Sequence, residues 1–377
     1  MQYRKFGKTG RDISVLGFGC MRLPEFQKDD KWHIDEEKAI PMLQRAYKEG
    51  VNYFDTAWMY CHDNSQYTLG RAVKGMKRED VMIATKQPLH MVEKTEDYRK
   101  VLEMQLERLD MPYIDFYHFH GINRGAMDGK IKPLGLIKEA QKAIDEGLIK
   151  HMSFSFHGDP KDMQYLIEQG EIFSSVLLQY NLLDRSNEEN LAIAKENGLG
   201  VVVMGPVGGG RLGAPSDVIQ GLLKDKPAST AEMAIRFVMA NENVDVVLSG
   251  MQNMAQLEEN AKVAAAAGKL TEAEIAQVKL MMTENAKLAK LYCTSCNYCL
   301  PCPQEINIPH LFNIMNNHRV YGLTDHAKGA YGQVMRGEGW VKSATADKCT
   351  GCGVCETKCP QKLPIVEQLK ETHAALA

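Results

Sequence analysis

The sequence predicts an α/β chain: a (β/α)8 barrel followed by a small α-helical domain rich in cysteine. Three observations carry that expectation. Eight apolar strand patterns recur along the first 270 residues, with amphipathic helical stretches between them. No glycine-rich fingerprint follows the first of these strands. Eight of the 10 cysteines lie from residue 293 onward, in two runs that each end in Cys-Pro.

The strand patterns come in order. Leu16-Gly17-Phe18-Gly19-Cys20 is the first, and Val51 to Asp55 the second. Val81 to Thr85, Ile114 to His118 and Ile149 to Ser153 follow, then Ser175 to Gln179, Gly200 to Met204 and Val244 to Leu248. Each is short, apolar and rich in β-branched or aromatic residues, as a strand buried on both faces requires. Helical periodicity fills the intervals, for example Glu36 to Glu49, Asp97 to Leu109 and Leu134 to Glu146. Eight such units in roughly 250 residues match a closed TIM barrel. A doubly wound sheet would want a third glycine soon after Gly17-Phe18-Gly19, where Cys20, Met21 and Arg22 stand instead. Val207-Gly208-Gly209-Gly210 arrives too late for that role and reads as a flexible loop after the seventh strand.

The cysteine runs are Cys293, Cys296, Cys299, Cys302 before Pro303, and Cys349, Cys352, Cys355, Cys359 before Pro360. Thiolates two residues apart can curl round one face of a cubane cluster. A Cys held outward by the stiff proline can reach a neighbouring cluster. The pattern therefore predicts two [4Fe–4S] clusters. Zinc ribbons use pairs of Cys pairs rather than four evenly spaced Cys before Pro. Disulfides suit secreted domains, and Met1-Gln2-Tyr3-Arg4-Lys5 opens no apolar signal core. The first run has only Leu300-Pro301 before its last Cys, against three residues in the second, so the cluster that Cys302 joins stays open. Between the runs, His310 to Val320 and Ala327 to Arg336 look helical, which resembles the α-helical type of ferredoxin. The expected division is a barrel over 1–270, a helical linker over 271–292 begun by Thr271-Glu272-Ala273-Glu274, and a ferredoxin-like iron–sulfur domain over 293–377.

In bulk the chain is ordinary. Its 377 residues suffice for two domains, and a net charge of -3 argues against nucleic acid or anionic membrane as the main partner. No run of about 18 apolar residues could span a bilayer, so a cytoplasmic location is expected.

A barrel collects its chemistry at the carboxyl ends of its strands. The second strand runs into Asp55-Thr56-Ala57-Trp58-Met59-Tyr60, the third into Ala84-Thr85-Lys86, and the fourth into His118-Phe119-His120. An Asp, a Tyr, a Lys and a His thus gather at one rim. A phenol titrates near pH 10 and holds its proton tightly; a nearby ammonium favours the phenolate, and a carboxylate keeps the ammonium charged. His118 shares the parity of His120 and should lie deeper, as a barrel-layer residue.

This constellation resembles the aldo-keto reductase superfamily over the whole barrel, with Tyr3-Arg4-Lys5-Phe6-Gly7-Lys8-Thr9-Gly10 similar to its N-terminal hairpin. With the cysteine tail, the chain is similar to the branch carrying a C-terminal ferredoxin-type domain. The resemblance implies a nicotinamide-dependent oxidoreductase acting on a small carbonyl or alcohol. Tyr60 would be the general acid, Lys86 its activator, Asp55 the partner of Lys86, and His120 the residue orienting the carbonyl. It also implies a cofactor site, in which Ser155 and Gln179 match carboxamide contacts, although Phe156 stands where an Asn is expected. Met204, beside Gly205, takes the place of a ring-stacking Tyr. Glu259 and Asn260 match the adenine-side pair. Gln256 replaces an Arg, and no basic residue stands near Gly250 in sequence, so NADH is favoured over NADPH. A nicotinamide passes two electrons and a cluster one, so direct coupling needs an intermediary such as a flavin, and no flavin fingerprint is visible; the clusters are then either a structural or interaction module, or a relay fed by a separate ferredoxin or flavoprotein. The alternative is an iron–sulfur electron-transfer protein in which the barrel serves only for docking.

Overall fold

The computed structural model describes residues 1–223, 227–266, 270–293 and 297–377. A short antiparallel hairpin opens the chain, β1 (Tyr3–Lys5) against β2 (Asp12–Ser14). The barrel strands are β3 (Leu16–Gly19), β6 (Tyr53–Asp55), β7 (Met82–Gln87), β8 (Ile114–Ile122), β9 (Ile149–Phe156), β10 (Phe173–Gln179), β11 (Gly200–Met204) and β12 (Val246–Ser249). Between β3 and β6 a second hairpin intervenes, β4 (Glu25–Lys28) with β5 (Lys31–Ile34). The eight barrel strands are parallel and close, β12 pairing with β3 and β9 with β10. This is the (β/α)8 barrel read from the sequence. Its eight strand patterns fall where expected because each is apolar on both faces and must be covered inside and out.

Side chains fill the barrel interior. Phe6, Ile13, Tyr53, Met82, Ala84, Phe116, Leu177, Val202, Val246 and Leu248 form one buried cluster. Phe6 plugs the amino end of the barrel. Its ring meets Phe116 edge-on at 5.1 Å, and a β-carbon on Gly200, at the start of β11, would stand 2.4 Å from it. The hairpin is tied beneath by Lys8 N donating to Gly198 O at 2.8 Å. With the amino end stoppered, ligands are left the carboxyl end.

The chain divides into two compact units, Met1–Pro206 with Ile235–Lys269, and Val207–Ala234 with Leu270–Ala377. The second unit thus includes the segment after β11. Gly208–Gly213 there is a 3-10 turn in which Gly209 and Gly210 take positive φ, at 69° and 100°. Ser216 Oγ donates to Tyr321 O at 2.5 Å, holding this segment to the cysteine-rich part of its own unit. Helix Glu272–Tyr292 begins with a reciprocal cap: Thr271 Oγ1 donates to Glu274 Oε2 at 2.8 Å, and Glu274 N donates to Thr271 Oγ1 at 3.3 Å. Helices Ile308–Arg319, Thr324–Met335 and Ile365–Leu376 then pack round Leu311, Phe312, Tyr331 and Leu369. Tyr331 is buried and its hydroxyl is used twice, accepting from Ala346 N at 3.0 Å and bonding His373 Nδ1 at 2.9 Å. The cysteine-rich region is therefore helical between its Cys runs, as a ferredoxin-like domain of the α-helical type should be.

Candidate functional site

The carboxyl rim brings Asp55, Tyr60, Lys86 and His120 together. Asp55 ends β6 and Lys86 lies one residue before the end of β7, the neighbouring strand. Lys86 Nζ donates to Asp55 Oδ1 at 2.6 Å and to Thr56 O at 2.8 Å, and both side chains are almost wholly buried. The same ammonium sits 4.7 Å from the centre of the Tyr60 ring. Burial pulls the Lys86 pKa down, but Asp55 and Tyr60 push harder, and it ends above its ordinary value. Burial also raises the Asp55 carboxyl, against the pull of Lys86. Asp55 Oδ2 is buried with no hydrogen-bond partner among the described residues.

The Tyr60 phenol ends above its ordinary pKa. Burial raises it and Lys86 lowers it, and burial wins. The expected pull of the ammonium is present, but from sequence the opposing burial could not be weighed. His120, half-buried on β8, is pushed down to about 3 by burial and by the charge of Lys86. Its imidazole is neutral at pH 7. His118 lies deeper, fully buried, with Nε2 3.4 Å from Tyr53 OH.

A strained turn presents Tyr60. Cys61, His62 and Asp63 follow it with φ of 50°, 52° and 68°, a left-handed run that costs non-glycine residues on the order of 1–3 kcal/mol each. The second hairpin clamps this run. His62 Nδ1 bonds Glu25 Oε1 at 2.8 Å, its ring stacks on Trp32 at 5.2 Å, and Asn64 Nδ2 donates to Trp32 O at 3.2 Å. Ser65 Oγ ties the following helix Ser65–Val73 to Cys20 O at 2.8 Å, beside the end of β3. Sequence reading had no signal for this clamp, because it joins residues from two separate loops.

The other rim residues are placed as follows. Ser155 Oγ accepts from Gly121 N at 2.6 Å. Gln179 and Met204 are register partners on β10 and β11, and Met204 rests on the barrel's inner cluster. Gly205 turns the chain with φ 63° next to the Gln179 side chain. Phe156 is buried against Phe154 rather than presented at the rim. Beyond β12, Asn260 is buried and donates to Ser249 Oγ at 3.0 Å. Gln256 is exposed and accepts from Gln252 N at 2.8 Å, while Glu259 is half-buried. No basic residue stands near Gly250 in sequence, yet Arg22, from the turn after β3, lies along it.

The cysteines line two cavities. Cys293, Cys299 and Cys359 face one, walled by Ile308, Pro309 and Phe312. Cys302, Cys349, Cys352 and Cys355 face another, which Cys299 also borders. Each run thus lends its Cys-Pro cysteine to the cavity of the other. Cys296 lies outside the described residues. Among the described residues no three His, Cys, Asp or Glu side chains converge as a single metal ion would require, whereas a cubane holds its thiolates apart at its corners.

Residues 15–281 match the aldo/keto reductase family, and residues 292–363 match the 4Fe-4S dicluster domain. A probable aldo-keto reductase 1 of Glycine max is 27% identical over 312 residues, covering 73% of this chain and 87% of that protein. An L-galactose dehydrogenase of Arabidopsis thaliana is 28% identical over 287 residues, covering 69% and 87%. The solved aldo-keto reductase AKR11C1 of Bacillus halodurans, holo form, superposes with a TM-score of 0.63 at 28% identity, over 74% of this chain and 96% of that one. The rim and the barrel thus define an NAD(P)H-dependent oxidoreductase of the aldo-keto reductase type. The chain belongs to the aldo/keto reductase family and carries a 4Fe-4S dicluster domain C-terminal to it in sequence. Among the described residues no helix is long and apolar enough to cross a membrane.

The buried neutral His118 makes barrel stability depend on pH. Burial, helped by Lys86, holds its folded pKa at about 3, below the unfolded value of about 6.5. Between those values the unfolded chain binds a proton that the folded chain refuses. Stability should therefore fall as pH drops from 6.5 towards 3, by up to about 1.4 kcal/mol per pH unit from this residue. His118→Leu should flatten the slope of urea-unfolding stability between pH 6.5 and 5 by about that amount. An unchanged slope would mean that His118 is not held neutral.

Proposed function

We propose that this chain reduces a small aldehyde, ketone or open-chain sugar to its alcohol, or runs the reverse reaction, with Tyr60 as the proton donor. The buried Asp55–Lys86 pair against the Tyr60 ring carries this reading. A nicotinamide dinucleotide, when bound, would supply the hydride to the carbonyl carbon. The rim residues fit such a group. Asp55 Oδ2 is an orphaned acceptor facing no protein donor among the described residues. Ser155, Gln179, Met204 and Gly205, at the ends of three successive strands, would hold the carboxamide end. Gly250, Gln256, Glu259 and Asn260 would line the adenosine end.

The chain's own residues then manage one proton. Tyr60 gives it to the substrate oxygen as negative charge develops there, and Lys86 stabilises the phenolate left behind. Asp55 fixes the ammonium and keeps it charged. Because the phenol's pKa is raised, the proton is held firmly until the oxygen becomes basic. His120, neutral at pH 7, donates a hydrogen bond to the same oxygen without competing for its proton. Gln256 is neutral and bonds back to Gln252 N, so it brings no charge for a 2′-phosphate and favours NADH.

In the second unit, Cys293, Cys296, Cys299 and Cys359 would ligate one [4Fe–4S] cluster, and Cys302, Cys349, Cys352 and Cys355 a second. Such clusters would accept and release single electrons. Their exchange partner would be a ferredoxin or flavoprotein, and the thiolate ligands fit the reducing cytoplasm.

Tyr60→Phe should abolish carbonyl reduction, by about 10²–10⁴-fold, with nicotinamide fluorescence titrations and cluster absorbance unchanged. Survival of the activity would remove Tyr60 from the mechanism. Cys359→Ala and Cys302→Ala should each lower anaerobic iron content from about eight towards about four per chain. Full iron content in both would contradict the exchange of cysteines between runs.

A further inference from the structure

We propose that Ser65 is a positioning residue for the proton donor, fixing the turn that carries Tyr60 to the residue that seats Lys86; this rests on the reading of Tyr60 above. Ser65 opens the helix Ser65–Val73 and is wholly buried. It has no surface to offer a ligand, so its effect on the reaction passes through its neighbours. Three hydrogen bonds meet on it. Its backbone N donates to Tyr60 O at 3.2 Å. Its Oγ donates to Cys20 O at 2.8 Å and lies 2.8 Å from Thr56 Oγ1. A serine hydroxyl has one proton, and Cys20 O takes it, so Thr56 is the donor to Ser65. The chain runs from the Thr56 hydroxyl to Ser65 Oγ and from the Ser65 hydroxyl to Cys20 O. Buried chains of this kind polarise one another and specify a single geometry.

Thr56 is the other half of the device. Its N donates to Ala84 O at 2.9 Å, continuing the pairing of β6 with β7, and its carbonyl takes the Lys86 ammonium at 2.8 Å. Thr56 therefore holds Lys86 with its backbone and Ser65 with its side chain, while Ser65 holds Tyr60 with its backbone. One serine joins the phenol's turn to the seat of the ammonium.

The turn needs such a tie. The left-handed run Cys61–Asp63 lies between Tyr60 and Ser65, and backbone of this kind persists only where its surroundings over-determine it. The bond from Ser65 N to Tyr60 O closes a loop across the run. Cys61 Sγ also donates to Cys20 O, at 3.5 Å, so both ends of the run are pinned to one carbonyl beside the end of β3. The bond of His62 to Glu25 lies at the surface, whereas the Thr56–Ser65–Cys20 chain is shielded from competing water.

The test uses the full cluster-loaded chain, glyceraldehyde and benzaldehyde as probe carbonyls, their alcohols for the reverse direction, and fluorescence titration with NADH. Ser65→Ala should lower kcat by about tenfold or more and leave the affinity for NADH unchanged. Ser65→Thr, which keeps the hydroxyl, should recover most of the rate. A displaced phenol also loses part of the pull of Lys86. Alcohol oxidation needs the phenolate as base, so its curve of rate against pH should move to higher pH in Ser65→Ala. Lys86, Asp55 and Cys20 are the charged and titratable groups that act on Tyr60, and all three stay in place in these variants. A lost rate with an unmoved curve, or equal loss in Ser65→Thr, would make the effect one of packing and overturn the assignment. So would a wild-type kcat in Ser65→Ala when Tyr60→Phe is inactive. If wild type reduces neither probe, or Tyr60→Phe still reduces them, the reading above fails and takes this inference with it. Should Ser65→Ala not fold, Thr56→Val decides, since it removes only the hydroxyl that donates to Ser65. It should move the oxidation curve in the same direction, and a wild-type curve there overturns the proposal.

Discussion

A charged pair buried at the mouth of the barrel constrains everything around it. Lys86 and Asp55 are each all but removed from solvent, a placement that costs several kcal/mol per ion before any attraction is counted. The attraction offsets this only with good geometry, and the barrel provides it. Adjacent parallel strands hold the two side chains at 2.6 Å, and Thr56 O takes a second ammonium proton at 2.8 Å. Removing one partner alone would strand a charge, at about 3–5 kcal/mol. The effects reach outward from there. Lys86 helps to hold His118 and His120 neutral and pulls against the burial that raises Tyr60.

The two ends of the barrel are built to opposite rules. The amino end is packed for stability, with Phe6 seated on Phe116 and over Gly200. The carboxyl end holds strain and unmet polarity: the left-handed run Cys61–Asp63 and the orphaned Asp55 Oδ2. Such features persist only where surrounding contacts over-determine them, and the Glu25, Trp32 and Asn64 contacts do so here. The second unit has an apolar core of its own, built round Ile308, Leu311, Phe312, Met315, Tyr331, Ile365 and Leu369, in which Cys299 and Cys355 are also buried.

Local patterns were the legible part of the sequence. Strands buried on both faces leave continuous apolar runs, so eight could be read in order. Parity placed His118 beneath His120, and the Cys-Pro ends pointed towards the neighbouring run, where Cys359 lines a cavity with Cys293 and Cys299. The partner of Cys302 could not be read, because the loop length permits either; in the fold it faces Cys349, Cys352 and Cys355. Closure was equally invisible. The turn at Gly250 looked devoid of positive charge because Arg22 meets it only when β12 pairs with β3. The balance at Tyr60 needed burial, which no motif encodes. The glycines after β11 read as a plain loop, whereas the fold gives that segment to the second unit, through Ser216 and Tyr321.

The central claim is that the ion pair is kept for chemistry rather than for stability. The double variant Asp55→Leu with Lys86→Met tests it most directly, since it removes both charges and leaves neither stranded. Replacing a buried pair with apolar residues is commonly neutral or stabilising, by about 1–4 kcal/mol. Urea unfolding and carbonyl reduction, measured on the same preparation, should show a barrel at least as stable as wild type and reduction slowed by about 10²-fold or more. Wild-type rates in that variant, or a barrel that loses stability while keeping its rate, would contradict the account.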